Sequence, residues 1–148
     1  MTPKELPQAI DYIKSGEHTC IVMQDGVITH KTSGIGVKPI KELYENQPEA
    51  LKNAQVADKV IGKAAAMLLH LAGAAFIYGN IMSARAVDYL EKHNIPHQYG
   101  MLVDAIINRA GDDTCPLEKA VLNIEDKDEA YEAIKATIAA LMAKAASQ

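Results

Sequence analysis

The sequence has no tryptophan and a single phenylalanine in 148 residues. Its core therefore cannot be organised around large aromatic side chains, and Ala, Ile, Leu, Val and Met must fill it. Cysteine is almost as scarce. Cys20 and Cys115 are too few for the disulfide framework of a small secreted domain, so a cytoplasmic setting with both thiols reduced is the expectation. No apolar run reaches the roughly 20 residues that cross a bilayer, and the opening Met1-Thr2-Pro3-Lys4-Glu5 lacks the charged and apolar regions of a signal peptide. No excess of positive charge is present: 15 basic and 19 acidic residues are mixed along the chain and give a net charge of −4. That argues against a nucleic-acid surface, which needs a clustered basic face. Internal repeats and low-complexity linkers are also missing, which leaves one domain over residues 1–148. A chain of that length hides roughly 70% of its unfolded surface, so it needs neither metal nor disulfide to hold a core.

What is present alternates between helix and strand signals. Residues 7–14 form a short amphipathic helix with Ile10, Tyr12 and Ile13 inward, ended by Gly16. Residues 18–24 favour a strand. Asp25-Gly26 then supplies the positive φ angles of a two-residue hairpin turn into Val27-Ile28-Thr29-His30. Ser33-Gly34-Ile35-Gly36 is a glycine-punctuated loop, and Pro39 suits the first turn of a helix through Leu43 and Tyr44. Residues 74–78 read as a buried strand and Ser83 as the cap of a helix over residues 84–92. A third interior strand is expected over 97–102, and residues 103–109 carry an ambiguous pattern that a short helix would fit. Cys115-Pro116-Leu117-Glu118 opens a helix to Leu122. Asp126-Lys127-Asp128-Glu129 starts the last one, with Tyr131, Ile134, Ile138 and Leu141 at helical spacing. The whole reads as an α/β sandwich with an antiparallel hairpin near its start and right-handed crossovers between parallel strands.

The most informative stretch is Val56-Ala57-Asp58-Lys59-Val60-Ile61-Gly62-Lys63-Ala64-Ala65-Ala66. It predicts a helix from Asp58 to about Leu71, covered nearly all round, with Lys59, Lys63 and His70 as a solvated stripe. Asp58 would stand at the helix mouth, where free N–H groups and the helix dipole attract acids and anions. Gly62 lowers helix stability, which calls for close approach by another group or a ligand. The alternative reading makes Asp58 a plain first-turn acid and Gly62 a packing contact.

Residues 57–65, Ser83, Asn108-Arg109 and Cys115-Pro116-Leu117-Glu118, in that order, resemble an uncharacterised domain-of-unknown-function family placed in the cytidine-deaminase-like fold superfamily. The resemblance runs from Ile10 to about Ile124. It implies a three-layer sandwich, a mixed sheet flanked by helices, with a pocket at the mouths of two central helices that in working deaminases takes a nucleoside base. A zinc deaminase needs His-x-Glu at one mouth and Pro-Cys-x-x-Cys at the other. The corresponding stretches here are Ala57-Asp58-Lys59 and Met82-Ser83-Ala84-Arg85, which offer neither thiolate nor imidazole. Zinc, and deamination through it, are not expected.

The remaining candidates follow from residue chemistry. Ser33, Gly34 and Gly36 are placed to cradle an anion with backbone N–H groups, or form a tight connection. Asn108 and Arg109 offer a fork for carboxylate or phosphate, or pair with Asp112 or Asp113. Cys115 beside a helix mouth is either a nucleophile of lowered pKa or a cap, with Glu118 satisfying the backbone. The expected function is binding of a nucleotide-like or ribose-phosphate ligand, ADP-ribose among them, by Ser33, Gly34, Gly36, Asp58, Gly62, Ser83, Asn108, Arg109, Cys115 and Glu118. The alternative is an enzyme with Asp58 or Cys115 as base or nucleophile. Broad apolar faces allow a homodimer.

Overall fold

Asp25 and Gly26 adopt φ angles of 53° and 81°, the paired left-handed conformation that their sequence demands. They join β1 (Cys20–Gln24) to β2 (Val27–Thr32) in the expected hairpin. The computed structural model describes residues 3–34, 36–107, 111 and 113–146. Before the hairpin lies α1 (Leu6–Ser15), and Gly16 ends that helix in the left-handed conformation. After it come α2 (Lys38–Asn46), a 3-10 turn (Pro48–Ala50), β3 (Gln55–Ile61), α3 (Lys63–Ala72), β4 (Phe76–Ser83), α4 (Ala84–Lys92), β5 (His97–Val103), α5 (Pro116–Ala120) and α6 (Lys127–Ala146).

The five strands form one mixed sheet in the order β2-β1-β3-β4-β5. β1 runs antiparallel to both β2 and β3, while β3, β4 and β5 are parallel. β2, β3 and β4 therefore point the same way, and the helix that follows each of them opens at the same end of the sheet. β1 divides its side chains by strand alternation. Cys20 and Val22 join the larger core with residues of α2, α3, α4 and α6, and Ile21 and Met23 join the smaller one with Leu6, Ala9 and Ile13 of α1. Sheet and helices thus form an α/β sandwich, with α6 laid over α3 as an outer cover.

The helix predicted from Asp58 starts later. Residues 55–61 are a strand, and the helix begins at Lys63 with Gly62 as its N-cap. The strand sits between β1 and β4 and is covered on both faces: Val56 lies in the larger core and Ala57 in the smaller. A doubly buried strand loses the alternation that would mark it, and the alanines behind it lend it a helical look. The β-branched Val56, Val60 and Ile61 carried the correct signal. α3 is enclosed as expected, since Lys63 through Leu69 are all buried. Lys63 is therefore not part of a solvated stripe. β4 is longer than its predicted five residues and ends on Ser83.

Candidate functional site

Three helix openings lie side by side at the carboxyl end of β2, β3 and β4, and each treats its free N–H groups differently. At α4, Ser83 is fully buried and its Oγ accepts the N–H of Ala86 at 3.1 Å. This is the cap that the sequence predicted, and it leaves Ser83 in a structural role. At α3 the acceptor comes from far along the chain. The Glu118 carboxylate takes the N–H of Lys63 on Oε1 at 2.9 Å and that of Ala64 on Oε2 at 3.0 Å. Glu118 is 3% exposed. A Cβ on residue 62 would stand 2.5 Å from its carboxyl atoms, so the close approach that Gly62 signalled is made by the protein's own acid. The expected role of Glu118, satisfying its own helix, gives way to capping α3.

At α2 the N-cap is Val37, whose apolar side chain offers no acceptor, and Pro39 has no N–H. Among the described residues no side chain accepts from this first turn. A groove of about 510 Å³ runs from this opening along the side of α2, lined by Thr32, Ser33, Gly34, Lys38, Glu42 and Asn46, among others. Its loop is braced rather than free. Thr19 Oγ1 accepts the Gly34 N–H at 3.1 Å and lies 3.2 Å from the Gly34 carbonyl, and Ser33 Oγ donates to the Glu17 carbonyl at 3.1 Å. A Cβ at Gly34 would meet Pro39 Cγ at 2.7 Å. Gly36 holds φ at 62°. Lys38 contributes a cation that composition alone did not single out.

Asp58 lies inside the sheet rather than at a helix mouth. It is 5% exposed and lines neither this groove nor a second one of about 330 Å³ between α4 and Glu125. Its row runs Thr32, Cys20, Asp58, Gly79, Tyr99 in register across all five strands. The first member, Thr32, lines the α2 groove, about two strand spacings or roughly 10 Å away. Among the described residues no cation pairs with the carboxyl, and its backbone support is the Val60 N–H at 3.5 Å together with that of Lys59. Burial pushes its pKa up to about 7, against the weaker lowering effect of those N–H groups and the Cys20 thiol. The same burial, then the Asp58 charge, raises the Cys20 thiol.

Cys115 precedes α5 and is half-buried, but its side chain makes no capping bond, and its backbone N–H donates to the Ile106 carbonyl at 2.9 Å. Asn108 and Arg109 lie outside the described residues. The structure therefore joins Gly62 to Glu118, sets Ser83 on the neighbouring strand end, and gathers Ser33, Gly34 and Gly36 at α2. Lys63 was missed as a buried cation. Its Nζ meets Glu125 Oε2 at 2.6 Å and the Leu122 carbonyl at 3.3 Å. Among the described residues no three His, Cys, Asp or Glu side chains are grouped to share a metal ion, and no helix is long and apolar enough to cross a membrane.

The model of a domain of unknown function, DUF1893, matches residues 8–138. The chain belongs to the DUF1893 family. The DUF1893 fold is also seen in the crystal structure of the family protein TM1506 from Thermotoga maritima. That protein is similar to this chain with a TM-score of 0.79 and 23% identity, over 94% of this chain and 91% of that one. At such identity the likeness establishes a shared fold. No curated protein matches.

Proposed function

We infer that this DUF1893 domain is a cytidine-deaminase-like fold that has no zinc chemistry and binds a nucleotide-like or ribose-phosphate ligand at the opening of α2. The fold part rests on the sequence resemblance together with the strand order β2-β1-β3-β4-β5 and helices that follow β2, β3 and β4 at one end. One observation carries the ligand part. Of the three adjacent openings, α3 and α4 are filled by Glu118 and Ser83, whereas among the described residues no side chain accepts from the first turn of α2, where Lys38 stands at one end of a groove that runs along the helix. N–H groups at a helix start favour phosphate, Lys38 adds positive charge, and Glu42 and Asn46 offer partners for sugar hydroxyls.

Thermal-shift measurements with ribose 5-phosphate, nucleoside mono- and diphosphates and ADP-ribose test the reading. A rise in Tm with at least one of them is expected, together with loss of most of that rise in Lys38→Ala. No rise with any of these compounds removes the support for it.

A second reading makes Asp58 a proton acceptor in an enzyme. Its support is a carboxyl that has no cation partner among the described residues and that burial raises to about 7, beside the Cys20 thiol. It requires a substrate group to reach an almost fully covered atom. Reaction of Asp58 with a carbodiimide–amine pair in the folded protein, read by mass spectrometry, separates the readings: an unmodified Asp58 ends the second one.

A further inference from the structure

β5 forms one edge of the sheet, and its seven residues, His97-Gln98-Tyr99-Gly100-Met101-Leu102-Val103, include no Lys, Arg, Asp, Glu or Pro. An edge strand presents a row of unpaired N–H and C=O groups, and monomeric proteins shield it with charges, prolines, bulges or a covering element. The opposite edge obeys this rule: β2 carries Lys31, and its pairing with β1 is interrupted between Val22 and Met23. Among the described residues β5 has no such device. Its register with β4 runs unbroken from Ile77 opposite His97 to Ser83 opposite Val103. Tyr99, Met101 and Leu102 are 41%, 60% and 48% exposed.

The backbone settles which groups are free. The Ile77 N–H donates to the Pro96 carbonyl at 3.1 Å. In a parallel pair alternate residues turn towards the neighbour, so Pro96, Gln98, Gly100 and Leu102 face β4. His97, Tyr99, Met101 and Val103 turn their N–H and C=O groups outward. An identical strand laid antiparallel, with Gly100 opposite Gly100 of the second copy, sets His97 against Val103 and Tyr99 against Met101. Every outward group then meets an outward group, giving about eight inter-chain hydrogen bonds. β5 carries no Asp, Glu, Lys or Arg, so no like charges face each other along the paired strands.

We propose that β5 is a homodimerisation edge, where a second copy of this chain adds antiparallel across a two-fold axis at Gly100 and the two five-stranded sheets become one. The proposal is independent of the α2 groove. Sedimentation equilibrium of the full chain over a wide dilution series is expected to give a dimer mass, and Met101→Lys a monomer with an unchanged far-UV spectrum. Register is tested by cross-linking in a Cys115→Ser background. Cysteines at 99 and 101 on different copies would sit about 5.5 Å apart between Cα atoms, within disulfide range, whereas 99 with 99 or 101 with 101 would not. Mixed Tyr99→Cys and Met101→Cys chains should form a disulfide dimer on mild oxidation that neither forms alone. A wild-type chain that stays monomeric, or a dimer whose mixed variants do not cross-link, overturns the proposal.

Discussion

A side-chain carbon on Gly62 would lie 2.5 Å from the carboxyl group of Glu118, which holds the first two N–H groups of α3. Gly62→Ala must therefore push that carboxylate off its donors. A buried charge and two buried N–H groups would lose their partners together, at a cost of about 2–4 kcal/mol. Urea denaturation is expected to show that loss in Gly62→Ala and a smaller one, about 1–3 kcal/mol, in Glu118→Gln, which keeps one acceptor oxygen. Equal stability of Gly62→Ala and wild type would mean that the contact holds nothing.

Asp58 makes stability depend on pH in an unusual direction for an acid. Its carboxyl keeps a proton up to about pH 7 in the folded protein and releases it near 3.8 when free. Between those values the unfolded chain binds fewer protons, so this group's contribution falls as pH rises through the window and levels off above it. Asp58→Asn should remove the slope and be more stable than wild type at pH 8, by up to ~4 kcal/mol for a shift of about three pH units. The difference between the two proteins should vanish near pH 4. A difference that is flat across the range would refute the assignment.

A ring cluster joins the ends of α3 and α4. His70 Nδ1 lies 2.6 Å from the Tyr89 hydroxyl, and the His70 and His93 ring centroids are 4.9 Å apart. Burial, then the neighbouring His93 and Lys127, holds the His70 pKa below 6.5. The folded protein thus resists a proton that the unfolded chain accepts, and stability is lost as pH falls below 6.5. An NMR titration should place the His70 midpoint under that value, and a midpoint above it contradicts the packing.

Glu125 accepts from both Lys63 and Lys92, at 2.6 and 3.2 Å, and these two hydrogen bonds lower its pKa. The Lys63 side chain is 7% exposed, whereas that of Lys92 is 62% exposed. Glu125→Ala leaves the buried ammonium with the Leu122 carbonyl alone and should cost about 1–3 kcal/mol. Lys92→Ala removes only a solvated pair and should cost under ~1 kcal/mol. Comparable losses in the two variants would show that the enclosure of Lys63 is immaterial.

Local chemistry with a local partner was legible in the sequence. The Asp25-Gly26 turn, the Ser83 cap and the helix it starts, and the proline-led start of α2 all appear where residue type required them. β3 was legible only in its β-branched residues, because a strand covered on both faces shows no alternation and runs straight into alanine-rich α3. The candidate site divides along the same line. Gly62 announced a close approach, but no spacing rule could name a partner more than fifty residues ahead. Lys63 looked solvated because the groups that enclose it, Leu122 and Glu125, come from a distant connection.

That distance has a bearing on synthesis. A chain released by the ribosome only as far as β5 has every strand of its sheet, yet the amides that open α3 still lack the acceptor that lies 54 and 55 residues downstream. The arrival of α5 completes a helix made long before it, so amide-proton exchange at Lys63 and Ala64 reports how firmly the last third of the molecule is docked.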